Sequence, residues 1–392
     1  MDFNKESLKL HERYKGKLEI NAKVPLKNKS DLSTSYTPGV AEVCREISKN
    51  KELVYKYTVK NNSIAVISDG SAVLGLGDIG PLAAIPVMEG KSVLFKEFGN
   101  IDAFPICIDT KDTDKIIETI RLIAPVFGGI NLEDISAPRC FEIEEKLQDL
   151  RIPVMHDDQH GTEIVVVAAL RNACRVTGKN FNELKIVVNG AGAAGIAISK
   201  ALLCFESSRK ICDPVHELVL CDSRGIISRD RRDLNKYKAE ISKYTRQSSG
   251  SLQDALRGAD VFVGVSKANL VTEEMIQSMS KDPIVIALAN PIPEIMPDLA
   301  KKAGASVVAT GRSDFPNQVN NSLAFPGVFR GALDAKAVRI TPEMRIAASD
   351  ALASSVIPKK DQILPTMFDK KVHLSIAKAV KKQAEEQGFV RE

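Results

Sequence analysis

The sequence lacks an N-terminal apolar stretch. It opens MDFNKESLKL, so no secretory leader is expected. It also lacks any apolar run that could span a bilayer. The longest clean one, Ile164–Leu170, falls far short of the roughly 20 residues a spanning helix needs. Charge of neither sign prevails: the net charge is +4, with both signs interspersed. That argues against a surface built for nucleic acid or membrane. No CxxC pair occurs among the cysteines, Cys44, Cys107, Cys140, Cys174, Cys204, Cys212 and Cys221. An odd set without that spacing suits neither a disulfide framework nor a thiolate zinc site. Most lie beside apolar residues and read as small core hydrophobes. A reducing, cytoplasmic setting is expected, with an organelle matrix as the alternative. Internal repeats and low-complexity segments are absent as well.

What is present is the composition of a globular protein, 44% hydrophobic and 27% charged, in 392 residues. That length exceeds one ordinary core, so more than one domain is expected. Lys5–Tyr14 reads as a short helix and Lys23–Ser30 as a connector. Pro38-Gly39 marks a turn that feeds the amphipathic run Ala41–Lys49. Ser63–Ser68 is a buried strand by its β-branched content, and Ser92–Phe95 and Ala103–Ile108 are two further strand-like runs. Ile116, Ile117, Ile120 and Ile123 give Asp112–Ala124 a helical spacing that Pro125 stops. Val126–Leu132 returns to strand, and Ser136 with Pro138 opens a helix over Cys140–Leu150. From Lys185 the apolar runs 186–188, 218–221, 261–265, 284–289 and 306–310 alternate with helical stretches. That is the pattern of a parallel sheet flanked by helices. Pro342–Glu392 is helical in spacing, with Ile376, Ala379 and Val380 on one face.

Two acidic pairs stand at the ends of apolar runs. Asp157-Asp158 lies where a strand-like run meets a helix-like run within Ile152–Ala169, flanked by His156 and His160. There Gly161 is expected to loosen the backbone and Thr162 to cap the helix. Glu133-Asp134 ends the run GGINLED. Glu133, Asp134 and Asp158 could supply three hard oxygen ligands, which suit Mg²⁺ or Mn²⁺ rather than zinc. Acidic residues are also ordinary at strand ends and helix caps, so either pair alone reads as structural. His156 and His160 have the i,i+4 spacing of a zinc helix but no glutamate in HExxH order. They are expected to pack or to orient their neighbours.

Less than thirty residues downstream a strand enters Gly190-Ala-Gly192-Ala193-Ala-Gly195. Glycine in this GxGxxG pattern permits the tight turn, the approach of a pyrophosphate and close helix–strand packing. The following helix N-terminus offers free N–H groups to the phosphates. A lone GxGxxG is weak evidence; here the strand, the helix and Asp222 at the end of the next strand agree. Asp222 would accept hydrogen bonds from the adenosine ribose and repel a 2′-phosphate, which puts NAD first. Arg224 could meet that phosphate, so NADP remains open.

Together these motifs resemble the malic enzymes, most closely their short bacterial form. The matching stretches are SYTPGVAEVC (35–44), ISDGSAVLGLGDIGPLAAIPVMEGK (67–91), FGGINLEDI (127–135), PVMHDDQHGT (153–162), VNGAGAAGIAI (188–198), ALANPIPEI (287–295), GRSDFPNQVNNSLAFPG (311–327) and RITPEM (339–344). They follow family order across nearly the whole chain. The resemblance implies oxidation and decarboxylation of L-malate to pyruvate and carbon dioxide with reduction of NAD or NADP. It implies that Glu133, Asp134 and Asp158 hold Mg²⁺ or Mn²⁺, and that Lys91, with Asp157 beside it, takes the C2 hydroxyl proton. It further implies that Tyr36 protonates C3 of the enolate and that Asn290 and Asn321 contact substrate and nicotinamide. One departure stands out. Larger animal and plant forms carry an arginine for a substrate carboxylate where this chain has Ala72. Some longer bacterial relatives append an acyltransferase-like domain, and no such region is expected here.

The expected fold is α/β. An N-terminal lobe, 1–160, would be followed by a Rossmann-type parallel-sheet domain, 161–330. A C-terminal helical segment, 331–392, would pack back on the first lobe, as the resemblance suggests. A homodimer with no nucleic-acid or membrane partner is expected. The nearest rival function is malolactic enzyme, which retains NAD and releases lactate. A metal-dependent hydrolase would leave the glycine-rich turn unexplained, and a nucleotide sensor would leave the carboxylates unexplained.

Overall fold

The computed structural model describes residues 2–73, 75–207 and 211–391. Leu74, inside the matching stretch 67–91, lies outside the described residues. Among those described, the strands form two sheets. The first holds β1 (Ser63–Ser68), β2 (Asp102–Cys107), β3 (Gly129–Leu132) and β4 (Val154–His156) in the order β2-β1-β3-β4. The second holds β5 (Lys185–Asn189), β6 (Glu217–Asp222), β7 (Gly225–Ile226), β8 (Val261–Gly264), β9 (Ile284–Ala287) and β10 (Val307–Thr310) in the order β10-β9-β8-β5-β6-β7. All pairings are parallel except β6 with β7. Parallel strands covered on both faces read as continuous apolar runs, and every residue of β1, β3, β8, β9 and β10 is buried.

Register brings the chemistry level. Ile67 pairs with Leu132, and Leu132 with His156. The chain therefore leaves β3 into Glu133 and leaves β4 into Asp157 at the same height. In the second sheet Asn189 pairs with Gly264, and Gly264 with Ala287. The Gly190 turn and the Asn290 loop thus leave the same end of the sheet, on either side of β8.

Three expectations need correction. Ser92–Phe95 is not a strand; it lies in the helix Gly80–Gly99. Pro86 and Gly90 interrupt that helix's sequence signal, and the buried stripe Ala84, Met88, Ser92, Phe95 holds it helical against the sheet. Thr162 is not a cap. The helix Asp157–Thr177 already starts at Asp157, with His156 as N-cap residue, because two carboxylates in its first turn complement the helix dipole. Cysteine parity also misled, since Cys204 and Cys212 form a disulfide. The chain doubles back after the helix Ala193–Leu202 and brings their Cα atoms to 5.8 Å. One bridge and five free thiols make up the odd number, so cysteine usage no longer argues for a reducing compartment. No helix among the described residues is long and apolar enough to cross a membrane.

The C-terminal helices pack back on the first sheet's layer. Phe325 and Phe329, on the helix Phe325–Asp334, set their rings 4.6 and 5.5 Å from that of Phe95. Such tilted and edge-on aromatic contacts add to the area they bury. The helix Lys370–Gln387 crosses Phe325–Asp334 at Gly327 and Gly331. A Cβ on Gly331 would lie 2.4 Å from the Ala377 carbonyl, so only glycine permits this approach. The helix Pro342–Ser354 lies on Asp157–Thr177, where buried Asn172 donates to the Ala353 and Ile363 carbonyls, each at 2.8 Å.

Candidate active site

The turn carrying Asp157 and Asp158 is held from below by Glu144, a buried residue of the helix Arg139–Leu147. Its carboxylate accepts from the His156 backbone N–H at 2.9 Å and from Gln159 Nε2 at 2.9 Å, and it meets His160 Nε2 at 3.1 Å. His160 also meets Glu163 at 2.7 Å, and Arg345 ties Glu163 to Glu206 with two 3.1 Å bonds. Buried charges are tolerated when paired in this way. The outcome is a fixed first helical turn. His160 orients its neighbours, as its sequence context suggested, and His156 is fully buried, 3.4 Å from Asp158.

On this support Glu133, Asp134 and Asp158 converge, with one oxygen from each within 4.8 Å of the others. Asp134 takes a left-handed φ of 53°, and its N–H donates to Asp158 Oδ2 at 2.8 Å. Asn131 Nδ2 donates to Glu133 Oε2 at 3.0 Å. Burial pushes the Glu133 carboxyl well above its usual range; Lys91 opposes this, and Asp158, Asp157 and Asp134 add to it. The cluster is therefore short of positive charge. Three hard oxygen donors in a partly buried, charge-deficient group suit Mg²⁺ or Mn²⁺.

Lys91 reaches the cluster from the middle of the helix Gly80–Gly99. Its Nζ donates to Asp157 Oδ2, lies 3.0 Å from Glu133 Oε1, and sits 4.4 Å from the centre of the Phe325 ring. Burial alone would lower the ammonium's pKa, but Asp157, Glu133 and Asp158 outweigh it and hold it above the usual lysine value. Burial raises the Asp157 carboxyl, with Lys91 opposing. Asp157 Oδ2 also accepts from Asn321 Nδ2 at 2.7 Å. Gly161 has a different role from the one expected. It lies inside the helix, and a Cβ there would fall 1.8 Å from Asp157 Oδ1. It leaves room for the carboxylate rather than loosening the backbone.

Across the cleft, the glycine-rich turn has the geometry a pyrophosphate needs. Gly190 has φ 118°, and a Cβ on Gly195 would lie 1.6 Å from the Gly190 carbonyl oxygen. A Cβ on Gly192 would meet nothing within 4 Å, so that face is open. Gly192 caps the helix Ala193–Leu202 without a side-chain bond, which leaves its first N–H groups for an anion. One cavity of about 580 Å³ joins the two halves. Asp134, Asp158, Gly192, Ala193, Asn290 and Asn321 all line it. Ala72 lines it too, and no arginine or lysine does among the described residues. A substrate carboxylate would thus meet amides and N–H groups there.

With this geometry in hand, comparison with known proteins is direct. Residues 15–148 match the family model for the malic enzyme N-terminal domain, and residues 159–385 that for the malic enzyme NAD binding domain. The bifunctional malic/malolactic enzyme of Bacillus subtilis is 55% identical over all of this chain and 95% of its own length. The NADP-dependent malic enzyme of Escherichia coli is 46% identical over 95% of this chain and 51% of its own. The crystal structure of the NAD-dependent malic enzyme from Thermotoga maritima superposes with a TM-score of 0.91 at 49% identity, covering 96% of this chain and 98% of that one. The chain belongs to the malic enzyme family.

Two malic-enzyme residues named from sequence sit differently from the rest. Tyr36, at the end of the helix Lys29–Ser35, is 66% exposed and does not line the cavity. Asp222 is not a free ribose acceptor. Arg231 grips both its oxygens at 2.8 and 3.1 Å, and Lys238 adds a bond at 2.7 Å. Burial tends to raise its carboxyl, but these bonds bring it down to about 2. Arg231, Lys238 and Glu144 escaped sequence reading. Arg231 and Lys238 follow Asp222 by nine and sixteen residues, outside any regular period, and only the folded loop after β7 brings them back.

Two outcomes follow from these contacts. Gly161→Ala should lower kcat about 10²-fold by displacing Asp157, while the thermal midpoint changes little, since alanine favours the helix. Steady-state kinetics and calorimetry on one preparation check both. Asp222 has a folded pKa of about 2 against 3.8 ordinarily, so its stabilising contribution is complete above 3.8 and lost as pH falls through 2. Asp222→Asn should flatten the stability profile across that window, as urea midpoints taken from pH 5 to pH 2 would reveal.

Proposed function

We infer that this chain catalyses the divalent-metal-dependent oxidative decarboxylation of L-malate to pyruvate and carbon dioxide, reducing NAD or NADP. One observation carries the reading. A single cleft joins Asp134 and Asp158 of the three-carboxylate cluster to the dinucleotide turn, and the buried Lys91–Asp157 pair lies behind its wall, bonded to Glu133 of the cluster and to Asn321 of the lining. A divalent cation on Glu133, Asp134 and Asp158 would supply Lewis-acid polarisation of the substrate oxygen at C2. The dinucleotide on the Gly190–Gly195 turn would supply the hydride acceptor. Lys91 and Asp157 act as one proton-handling unit at the C2 hydroxyl: Lys91 Nζ accepts the hydroxyl proton as its own proton passes to the Asp157 carboxylate, which burial makes receptive. Asn290 and Asn321 orient the substrate, and Asn321 fixes Asp157 at the same time. Phe325 covers the ammonium and keeps water from it.

Tyr36 delivers the proton to C3 in this reading, and its exposure asks for a second copy. The helices Phe3–Tyr14, Lys29–Ser35 and Val40–Lys49 bury no residue of their own, and Leu32, Tyr36, Val40 and Val43 are exposed near one another in sequence. A homodimer that covers this segment would seat Tyr36 of one copy beside Lys91 of the other. The working domain limits are 1–160, 161–330 and 331–392, and the setting is cytoplasmic, where malate and dinucleotide are at hand. Arg231 and Lys238 offset the Asp222 charge, and Arg224 is exposed beside them. That supports use of NADP as well as NAD.

A second reading is favoured by the Bacillus subtilis relative, whose name covers both outcomes. Retained reduced cofactor could return hydride to pyruvate and release lactate. Malate and Mn²⁺ with NAD or NADP should yield pyruvate and reduced cofactor in equal amounts. Lactate without net cofactor reduction would move the assignment to malolactic chemistry, and no turnover of malate would remove both. The shared site has its own test. Tyr36→Phe and Lys91→Ala should each be nearly inactive alone. Randomly mixed dimers should recover about a quarter of wild-type turnover, because half are hybrids with one intact site. No recovery on mixing would put Tyr36 and Lys91 in the same subunit's site.

A further inference from the structure

A second charged cavity stands apart from the cleft. It lies at the opposite, N-terminal ends of β1, β3 and β4, has a volume of about 670 Å³, and is lined among others by Glu52, Tyr55, Lys60, Arg121, Arg151 and Arg391. Lys60 precedes β1 by three residues, and Arg151 precedes β4 by three. Glu133 and Asp157 follow the other ends of β3 and β4. The two sites are therefore separated by the length of the strands.

Four cations face this space against the single carboxylate of Glu52. Arg121 is neutralised, since Asp149 lies 2.9 Å from its Nη2. For the other three, no carboxylate among the described residues comes within ion-pair distance. Lys60 is buried and donates to the Ala124 and Phe127 carbonyls at 3.1 and 2.6 Å, which are neutral acceptors. Arg391 lies over the Tyr55 ring at 3.7 Å and donates to its hydroxyl at 2.8 Å, while its buried Nε has no hydrogen-bond partner. Arg151 stands at the rim in a left-handed conformation, φ 55°. Burial, and then the Arg391 charge, lower Lys60 to about 8. Burial leads in lowering Arg391 as well. A fold that gathers these cations around one carboxylate meets a cost that a bound anion would offset.

We propose that this cavity is a binding site for a small polyanion carrying carboxylate or phosphate groups, gripped by Arg391 and Arg151 with Lys60 behind them. A guanidinium edge with a free Nε suits two-point contact with either group. The volume is many times that of one water, about 30 Å³, so the site has room for a whole metabolite rather than a lone ion. The proposal is independent of the malate chemistry, because no residue here lines the cleft.

The test is calorimetric titration of the full-length protein without divalent metal, malate or dinucleotide, so that no other anion competes for the cavity. Inorganic phosphate, pyrophosphate and tricarballylate are the probes. At least one should bind wild type. Arg151→Gln and Arg391→Gln should each weaken it about tenfold or more, the scale of one lost charge-assisted bond. Dinucleotide affinity and basal malate turnover should be unchanged in both. Phosphate-type probes alone, or tricarballylate alone, would define the head group. Absence of binding by all three up to about 10 mM, which corresponds to under 3 kcal/mol, overturns the proposal. So does binding that neither variant alters. Arg151 is exposed, so its variant reports even if Arg391→Gln loosens the chain that covers Tyr55.

Discussion

Four carboxylates, Glu133, Asp134, Asp157 and Asp158, are forced together at the ends of two adjacent strands, with one ammonium, Lys91 Nζ, set against them. Like charges about 4 Å apart near a protein surface repel by about 4 kcal/mol. That is a large part of the 5–15 kcal/mol by which a domain is stable at all. The rest of the architecture can be read as what keeps this group in place. Parallel register fixes the height of the two acidic turns. Glu144 fixes the backbone of one of them from beneath. The Gly80–Gly99 helix delivers the single counter-charge, and Phe325 roofs it over. Desolvation raises Glu133 and Asp157 while the carboxylates raise Lys91. Four carboxylates against one ammonium leave the charge deficit that a divalent cation remedies.

Close approach is the second constraint, and it falls on a few glycines for separate reasons. Gly195 lets the helix after the glycine-rich turn meet that turn, Gly161 makes room for the Asp157 carboxylate, and Gly331 lets two C-terminal helices touch backbone to side chain. The last of these links the site to the far end of the chain. The helix Phe325–Asp334, pressed between Lys370–Gln387 and Gly80–Gly99, carries the ring that faces Lys91. Asn321 reaches Asp157 from the turn just before it. The C-terminal helices thus form a wall of the site on the first lobe, even though they follow the second sheet in sequence.

Charge pairing decides what each functional group can do. Asp222 ends β6, and Arg231 and Lys238 bond to both its oxygens. Its charge is therefore shared within a cluster rather than standing alone. The same logic separates the two large cavities. The cleft is rich in carboxylates and amides, and the cavity at the opposite strand ends is rich in unpaired cations.

Strand positions were legible in the sequence because parallel strands must be apolar along their whole length. Ser63–Ser68 was read residue for residue, and the five runs after Lys185 each fell on a strand. The glycine-rich turn was legible because its geometry tolerates only glycine at fixed offsets. The acidic pairs were visible as candidates, since both stand where apolar runs end. The Gly80–Gly99 helix was not legible, because Pro86 and Gly90 hide a stripe that only the sheet beneath it reveals. Lys91 and Tyr36 carry no local signal and were reached through resemblance alone. The roles of Glu144, Gly161, Arg231 and Lys238, and the Cys204–Cys212 bridge, depend on partners the chain returns to only after folding. Sequence by itself determined which segments are buried and where the backbone must bend, because those follow from local apolarity and local φ. Tertiary structure decided which charges face one another, because pairing energy depends on distance and burial, and neither is a property of a residue's neighbours along the chain.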